Sequence, residues 1–133
     1  MNLLLLQHGA GKETILVVED EKAVRELAVE TLRKFGYDVL ESTNGKEALQ
    51  LCRDLEKNLD LVLTDVVMPG LNGPEFIRQI RALGKHLKVL YMSGYTENSV
   101  TNRGILEEGS EYISKPFRPK ELISMVRQVL DRK

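Results

Sequence analysis

Short apolar runs alternate along the chain with longer stretches in which apolar residues recur every three or four positions. A continuous apolar run of this kind is typical of a buried strand, and the longer period is typical of an amphipathic helix. The runs predict strands over residues 14–18, 37–41, 59–64, 87–92 and 110–114. The periodic stretches predict helices over residues 24–35, 48–55, 76–83, 97–108 and 122–130.

Five strand–helix units in a row predict an α/β fold with a parallel sheet and helices on both of its faces. The crossovers between the strands are expected to be right-handed. In open sheets of this class, ligands bind beyond the carboxyl ends of the strands. The residues that follow each strand are therefore the first candidates for chemistry.

Length, charge and cysteine content limit the classes of partner. The chain has 133 residues and a formal net charge of -1, which suits one domain without a basic surface for nucleic acid or an acidic membrane. Its single cysteine, Cys52, falls on an apolar helical stripe, so core packing is its expected role. A reducing, cytoplasmic location is the prediction that fits this cysteine usage.

The first twelve residues differ in pattern from the rest. Residues 3–6 are all leucine, a run too short to span a bilayer and without the features of a secretion signal. Residues 8–12 (HGAGK) are typical of a flexible linker. We interpret residues 1–12 as a linker, an expression leader or an unusual natural start, and residues 13–133 as the domain.

Polar residues stand at the ends of four predicted strands. Glu19 and Asp20 follow the first strand, Asp65 the third, Ser93 the fourth and Lys115 the fifth. If these strands are neighbours in the sheet, three carboxylates, one hydroxyl and one ammonium group meet at one edge. Clustered carboxylates repel one another unless a cation offsets their charge. Oxygen ligands of this kind suit Mg²⁺, and an aspartate can act as a nucleophile toward phosphorus.

At this point the sequence resembles a known family. Four segments are similar to the receiver domains of two-component response regulators and hybrid sensor histidine kinases, and the likeness covers roughly residues 13–132. The segments are ILVVEDE (15–21), LVLTDVVMPGLNG (61–73), VLYMSGY (89–95) and YISKPF (112–117). The resemblance implies a flavodoxin-like (βα)₅ three-layer sandwich, with its five parallel strands in the order 2-1-3-4-5.

The resemblance also implies a role for each residue of the site. Asp65 is the expected phospho-acceptor, and Mg²⁺ is the expected cofactor, with Mn²⁺ as a substitute. Asp20 and Asp65 are the expected metal ligands, together with the backbone carbonyl of Val67. Glu19 is expected to act on the metal mainly through water.

Three further residues complete the implied site. Ser93 takes the position of the switch hydroxyl and Lys115 that of the phosphate-binding lysine, with a cis peptide bond before Pro116. Tyr112 takes the position of the aromatic switch. From the residues alone, Ser93 before a glycine is also typical of a turn, and Tyr112 is also typical of an ordinary edge-strand aromatic.

The implied function is phosphoryl transfer from phosphohistidine on a histidine kinase or a histidine phosphotransfer domain. The chain by itself is not expected to be a conventional enzyme. It is either a stand-alone receiver or a part of a larger protein, and the resemblance favours a hybrid histidine kinase as the parent. The face formed by the fourth helix, the fifth strand and the fifth helix is the expected output surface. Dimerisation through that face stays open, because Arg118, Lys120, Glu121 and Arg127 suit either an interface or solvent.

Two other function classes remain alternatives. One is an aspartyl-nucleophile phosphatase or hydrolase of the dehalogenase type, which places a second aspartate where this chain has Val67. The other is a flavodoxin-like FMN-binding module, which would bind the FMN phosphate after the first strand, where the acidic pair Glu19 and Asp20 would repel it. Both alternatives are weaker than the receiver interpretation on these residues.

Overall fold

The computed structural model describes residues 12–94 and 110–132, which form five strands and four helices. The helix predicted over residues 97–108 lies outside this part. The strands are β1 (Thr14–Val18), β2 (Asp38–Ser42), β3 (Leu61–Asp65), β4 (Lys88–Ser93) and β5 (Tyr112–Ser114). The helices are α1 (Lys22–Lys34), α2 (Gly45–Asp54), α3 (Gly73–Ala82) and α4 (Pro119–Asp131), the last being the fifth helix predicted from the sequence.

All five strands belong to one parallel sheet in the order β2-β1-β3-β4-β5. The predicted α/β class and strand order are confirmed. The chain passes from β1 outward to β2 and then returns across β1 to β3. This reversal sets the carboxyl ends of β1 and β3 side by side, with Val18 opposite Thr64. A ligand site is expected at such a reversal of strand order.

Alternate residues of the strands pack into two separate hydrophobic cores, one on each face of the sheet. Ile15, Val17 and Leu63 pack on one face of the sheet beneath α1 and α4. Leu16, Val18 and Val62 pack on the other face beneath α2 and α3. This alternation follows from the two-residue period of a strand. The sheet is therefore the middle layer of a three-layer sandwich.

Two strands begin two residues later than the sequence predicts, whereas β2 and β4 are shifted by one residue. β3 begins at Leu61 instead of Leu59, because its first partners in the sheet are Ile15 of β1 and Lys88, the first residue of β4. The backbone of Asp60 extends the pairing by one hydrogen bond on each side, donating to Thr14 at 2.9 Å and accepting from Lys88 at 3.0 Å. β5 has three residues instead of five, and they pair with Tyr91, Met92 and Ser93 at the end of β4.

Local signals in the sequence start and stop the helices. Asn44 and Asn72 cap α2 and α3 by accepting hydrogen bonds from the backbone N–H groups of Glu47 and Glu75. Gly36 follows α1 with a φ of 94°, a backbone conformation that favours glycine. The helices of the described ranges are all too short or too polar to cross a membrane.

Arg127 of α4 makes its ion pairs within the chain. Its guanidinium group donates to Glu13 at 2.6 Å and to Asp131 at 2.8 Å, and it also donates to the hydroxyl of Tyr37 at 3.3 Å. The hydrogen bond from Arg127 lowers the pKa of Glu13. The contact ties α4 to the start of β1. Of the four residues considered for an interface, Arg127 is therefore already paired inside the domain.

Two leucines of α1 test the core assignment. Leu32 is fully buried, whereas Leu27 on the same helix is 39% exposed. We expect Leu32→Ala to lower the free energy of unfolding by about 2–5 kcal/mol, because it removes buried methyl groups and leaves a cavity. Leu27→Ala, the matched control, is expected to change it by less than about 0.5 kcal/mol. Urea unfolding followed by circular dichroism measures both, and equal effects would contradict the assignment of this face of α1 to the core.

Candidate functional site

Three carboxylates gather at the carboxyl edge of the sheet. Glu19 and Asp20 follow β1, and Asp65 is the last residue of β3. One carboxylate oxygen from each residue lies within 4.8 Å of the others. The pairing of β1 with β3 produces this juxtaposition, since it brings two stretches of chain more than forty residues apart to the same edge.

Lys115 joins two of these carboxylates. Its ammonium Nζ donates hydrogen bonds to Oδ1 of Asp65 at 2.7 Å and to Oε1 of Glu19 at 3.0 Å. The peptide bond from Lys115 to Pro116 is cis, which agrees with the resemblance. The backbone N–H of Lys115 also donates to the carbonyl oxygen of Ser93 at 2.7 Å. Main chain and side chain of Lys115 therefore connect β5 to the ends of β1, β3 and β4.

Burial dominates the electrostatics of the cluster, because Glu19 is 0% and Asp65 1% exposed. Burial raises the pKa of Asp65 to about 9; the neighbouring Glu19 adds to this rise, and Lys115 opposes it. Burial also acts to raise the pKa of Glu19, but hydrogen bonds with Asp65 and Lys115 outweigh it and leave that pKa lowered.

Burial and the neighbouring charges also change the pKa values of Lys115 and Asp20. Burial acts to lower the pKa of Lys115, but hydrogen bonds with Asp65 and Glu19 prevail, so that pKa is raised. Burial and the adjacent Glu19 raise the pKa of Asp20. With the three carboxylates ionised, the single ammonium group leaves the cluster short of positive charge.

The donor set fits a divalent cation. Oδ2 of Asp65 is buried and has no hydrogen-bond partner within the described residues. A buried carboxylate oxygen without a partner is costly, and native structures seldom leave one. Three clustered carboxylates provide the hard oxygen ligands that Mg²⁺ or Ca²⁺ prefers. The acidic cluster is therefore suited to a divalent cation beside Asp65.

The other three predicted site residues differ from one another in burial and in how they connect to the cluster. Ser93 ends β4 and is 1% exposed, with its carbonyl oxygen bonded to Lys115. Val67 lies two residues past Asp65 and points its side chain outward, 50% exposed. Tyr112 stands at the start of edge strand β5 and is 40% exposed. Ser93 is thus linked to the cluster through Lys115, whereas the Tyr112 ring faces solvent.

Sequence reasoning did not identify Gly73 as part of the site. Its backbone N–H donates to the carbonyl oxygen of Val66 at 2.9 Å. A Cβ atom added to Gly73 would lie 2.1 Å from the carbonyl oxygen of Asp65, so only glycine fits this close approach. The Asn72-Gly73 pair is typical of a turn after β3. Nothing in the sequence shows that Gly73 contacts the Asp65 backbone.

Arg25 is a second residue that the sequence did not reveal. Its guanidinium Nη1 donates to the backbone carbonyl oxygen of Glu19 at 2.8 Å. The available signal was its position, because a cation in the first turn of a helix opposes the helix dipole. Such a cation suggests a compensating contact elsewhere.

A groove of about 840 Å³ borders the cluster on the side of Asp20. Its other walls include Leu49 of α2 and Pro69, Gly70 and Leu71 of the loop after β3. Glu19, Asp65 and Lys115 do not line this groove. The cluster is therefore open toward solvent at Asp20 and closed around the two buried carboxylates.

Comparison with known proteins identifies the family. The sequence profile of the family described as the response regulator receiver domain matches residues 15–127. This chain belongs to the receiver domain family. The receiver prediction is thereby confirmed, and the comparisons do not support the hydrolase and FMN-binding alternatives.

Relatives of this receiver domain include parts of longer proteins. It is 36% identical over 123 residues to the sensor kinase CckA of Brucella abortus (strain 2308), covering 92% of this chain and 13% of that protein. It is 38% identical over 118 residues to the uncharacterized transcriptional regulatory protein YrkP of Bacillus subtilis (strain 168), covering 89% of this chain and 49% of that protein. The chain thus spans about half or less of these curated relatives.

Solved structures resemble the receiver domain over most of its length. The receiver domain of the hybrid histidine kinase CckA aligns with a TM-score of 0.73 and 36% identity, covering 89% of this chain and 99% of that one. The chemotaxis protein CheY4 of Vibrio cholerae aligns with a TM-score of 0.77 and 26% identity, covering 90% and 99%. Both alignments agree with the strand order described above.

The raised pKa of Asp65 predicts a pH dependence in protein kept free of divalent cations. Because the pKa is higher in the folded than in the unfolded state, the folded protein binds more protons between about pH 4 and pH 9. Stability contributed by this proton is present at low pH and is lost as the pH rises toward 9. We expect the free energy of unfolding to fall from pH 6 to pH 8 by at most about 1.4 kcal/mol per pH unit. Urea unfolding in EDTA measures the slope, and Asp65→Asn should flatten it; an unchanged slope in that variant would refute the assignment.

The close approach of Gly73 gives a second prediction. Gly73→Ala should lower the free energy of unfolding by about 1–3 kcal/mol, because the new methyl group overlaps the carbonyl oxygen of Asp65. It should also shift the amide NMR signals of Val66 and Lys115. Gly84→Ala is the control for a strained substitution elsewhere: Gly84 has a φ of 82°, which disfavours alanine, but its added Cβ would meet nothing within 4 Å, so this variant should lose stability without moving the two signals. If both variants leave the two signals unmoved, the contact is unimportant for the site.

Proposed function

We propose that Asp65 accepts a phosphoryl group from a phosphohistidine on a histidine kinase or a histidine phosphotransfer domain. The observation that carries this proposal is the unequal hydrogen bonding of the two carboxylate oxygens of Asp65. Lys115 holds Oδ1 at 2.7 Å, and Oδ2 is buried without a hydrogen-bond partner in the described residues. One oxygen is thus held by Lys115, and the other has no protein partner in the described residues, so Asp65 keeps bonding capacity for a ligand from outside the chain.

The transfer exchanges one bond for another. A carboxylate oxygen of Asp65 attacks the phosphorus, the new P–O bond forms an acyl phosphate, and the P–N bond to the donor imidazole breaks. The electron pair of that bond leaves with the imidazole. Lys115 is placed to contact a phosphoryl oxygen as the negative charge arrives, because its ammonium already lies against the acceptor.

The acidic cluster supports a metal in this reaction. Asp20, Asp65 and the backbone carbonyl of Val67 would hold Mg²⁺, or Mn²⁺ in its place, with Glu19 acting through water. The bound ion supplies positive charge that favours the ionised form of Asp65 and offsets the charge of the incoming phosphoryl group. Glu19 also keeps Lys115 in place, through the hydrogen bond at 3.0 Å.

The output is a change in a partner-binding surface. Ser93 is buried at the end of β4, where its hydroxyl can donate to a phosphoryl oxygen on Asp65. Movement of Ser93 would open space into which the exposed ring of Tyr112 turns from β5. A local charge change would then bias a two-state surface that includes β5 and α4. The helix predicted over residues 97–108 belongs to the same proposal but lies outside the described residues.

The relatives support a proposal for the protein to which this domain belongs. We infer that residues 13–133 are the receiver part of a cytoplasmic signalling protein, with residues 1–12 preceding it. The likeness to a receiver domain of a hybrid histidine kinase supports a parent of that class. The domain itself would act as a switch that loses its phosphoryl group slowly by hydrolysis, without direct contact with nucleic acid or membrane. Homodimerisation through the β5 and α4 side is an alternative to a monomeric output.

A small phosphodonor tests the acceptor. Incubation with acetyl phosphate and Mg²⁺ should add the mass of one phosphoryl group to the intact protein, because the acceptor needs only a donor and a cation. Asp65→Asn should abolish the mass gain, and EDTA should suppress it. Asp54→Asn, an exposed aspartate at the end of α2, is the matched control and should be modified like the wild type. Unreduced phosphorylation of Asp65→Asn would disprove the assignment of the acceptor.

A further inference from the structure

Arg25 is a largely buried cation at an unfavourable place. It lies in the first turns of α1, and its side chain is only 14% exposed. The positive end of the helix dipole disfavours a cation there. Burying a guanidinium group is costly unless hydrogen bonds compensate it. The contacts of Arg25 should therefore show why a cation stands at this position.

These contacts converge on Glu19. Nη1 of Arg25 donates to the backbone carbonyl oxygen of Glu19 at 2.8 Å, and Nε donates to the carboxylate of Glu41 at 3.4 Å. On its other side, Glu19 donates its backbone N–H to the carbonyl oxygen of Ser42 at 3.1 Å. Both main-chain polar groups of Glu19 are thus held, one by the end of β2 and one by α1.

The side chain of Glu19 is held as well. Its Oε1 accepts from Lys115, and its Oε2 accepts from the backbone N–H of Glu21 at 3.2 Å. Asp20, the exposed carboxylate of the cluster, lies between these anchored residues in the chain. The direction in which the Asp20 carboxylate points therefore depends on how the backbone of Glu19 is held.

We propose that Arg25 is a positioning residue for the metal site. Its guanidinium fixes the carbonyl group of Glu19, and the turn after β1 then directs the carboxylates of Glu19 and Asp20 toward Asp65. This inference rests on the proposed function insofar as the site holds Mg²⁺. The planar guanidinium serves the carbonyl of Glu19 and the carboxylate of Glu41 at once, which the single ammonium of a lysine does not reproduce.

A simpler role for Arg25 is an ion pair with Glu41 alone. The Glu41 side chain is 44% exposed, and exposed ion pairs contribute little to stability. The two roles predict different variants to be damaging. Loss of the Glu41 charge removes the ion pair and leaves the bond to the carbonyl of Glu19, whereas loss of the guanidinium removes both.

Three variants in the full chain separate these roles: Arg25→Met, Arg25→Lys and Glu41→Gln. Mg²⁺ binding is measured by calorimetric titration, and urea unfolding confirms that each variant is folded at the working temperature. We expect the dissociation constant for Mg²⁺ to rise about tenfold or more in both Arg25 variants, the size of effect seen when a group that orients metal ligands is removed. Glu41→Gln should stay within about twofold of the wild type.

A second readout needs no metal. In EDTA, amide hydrogen exchange at Glu21 should speed up about tenfold in Arg25→Met relative to distant amides of β3, because its acceptor on Glu19 is no longer fixed. Wild-type affinity in both Arg25 variants together with wild-type exchange in Arg25→Met, or equal losses in Glu41→Gln, would overturn the positioning role. If the wild type binds no Mg²⁺, the proposed function fails, and the exchange measurement alone decides whether Arg25 fixes Glu19.

Discussion

The ammonium group of Lys115 is shared by two buried carboxylates, and this contact allows an acidic cluster to exist inside the domain. Glu19 and Asp65 are almost completely excluded from water. Removing one partner of a buried ion pair leaves an uncompensated charge and is strongly destabilising. The same group joins three strand ends that are far apart in sequence. The stability of this edge of the sheet and the arrangement of its carboxylates therefore both depend on the side chain of Lys115.

The sheet topology supplies the constraint that makes this contact available. Parallel strands end at one edge, and the reversal of direction after β2 puts β3 next to β1. The acidic turn after β1, Asp65 at the end of β3 and Lys115 after β5 then meet at this edge. The start of α3 contributes a finer adjustment, because Gly73 lets this helix approach the Asp65 backbone closely. Architecture and site are consequences of the same strand order.

The sequence predicted most of the fold and the main members of the site. Apolar runs predicted the buried strands, and the recurrence of apolar residues every three or four positions predicted the helices. The family motifs added the strand order and the expected roles of Asp65 and Lys115. The starts of β3 and β5 were missed by two residues, because the pairing of β3 with β1 and β4 and the short ladder of β5 with β4 decide them. Local propensity does not contain such contacts.

The supporting residues of the site were harder to predict for a similar reason. Arg25 and Gly73 act through backbone carbonyl groups, which carry no sequence signature at the position contacted. The sharing of Lys115 between Glu19 and Asp65 depends on distances across 96 and 50 positions of chain. Only the assembled sheet shows which of several polar groups the lysine reaches.

The burial of Cys52 has a practical consequence for following this domain in solution. The chain contains one cysteine, which is 0% exposed in the core beneath α2, and burial raises the pKa of its thiol. Maleimide reagents attack exposed thiolates, so the folded protein should give little background labelling. A cysteine introduced at the half-exposed Val67 would then be a unique attachment point for a fluorophore two residues from Asp65. Such a dye would report occupancy of the acidic cluster in real time, without a tryptophan and without a downstream partner.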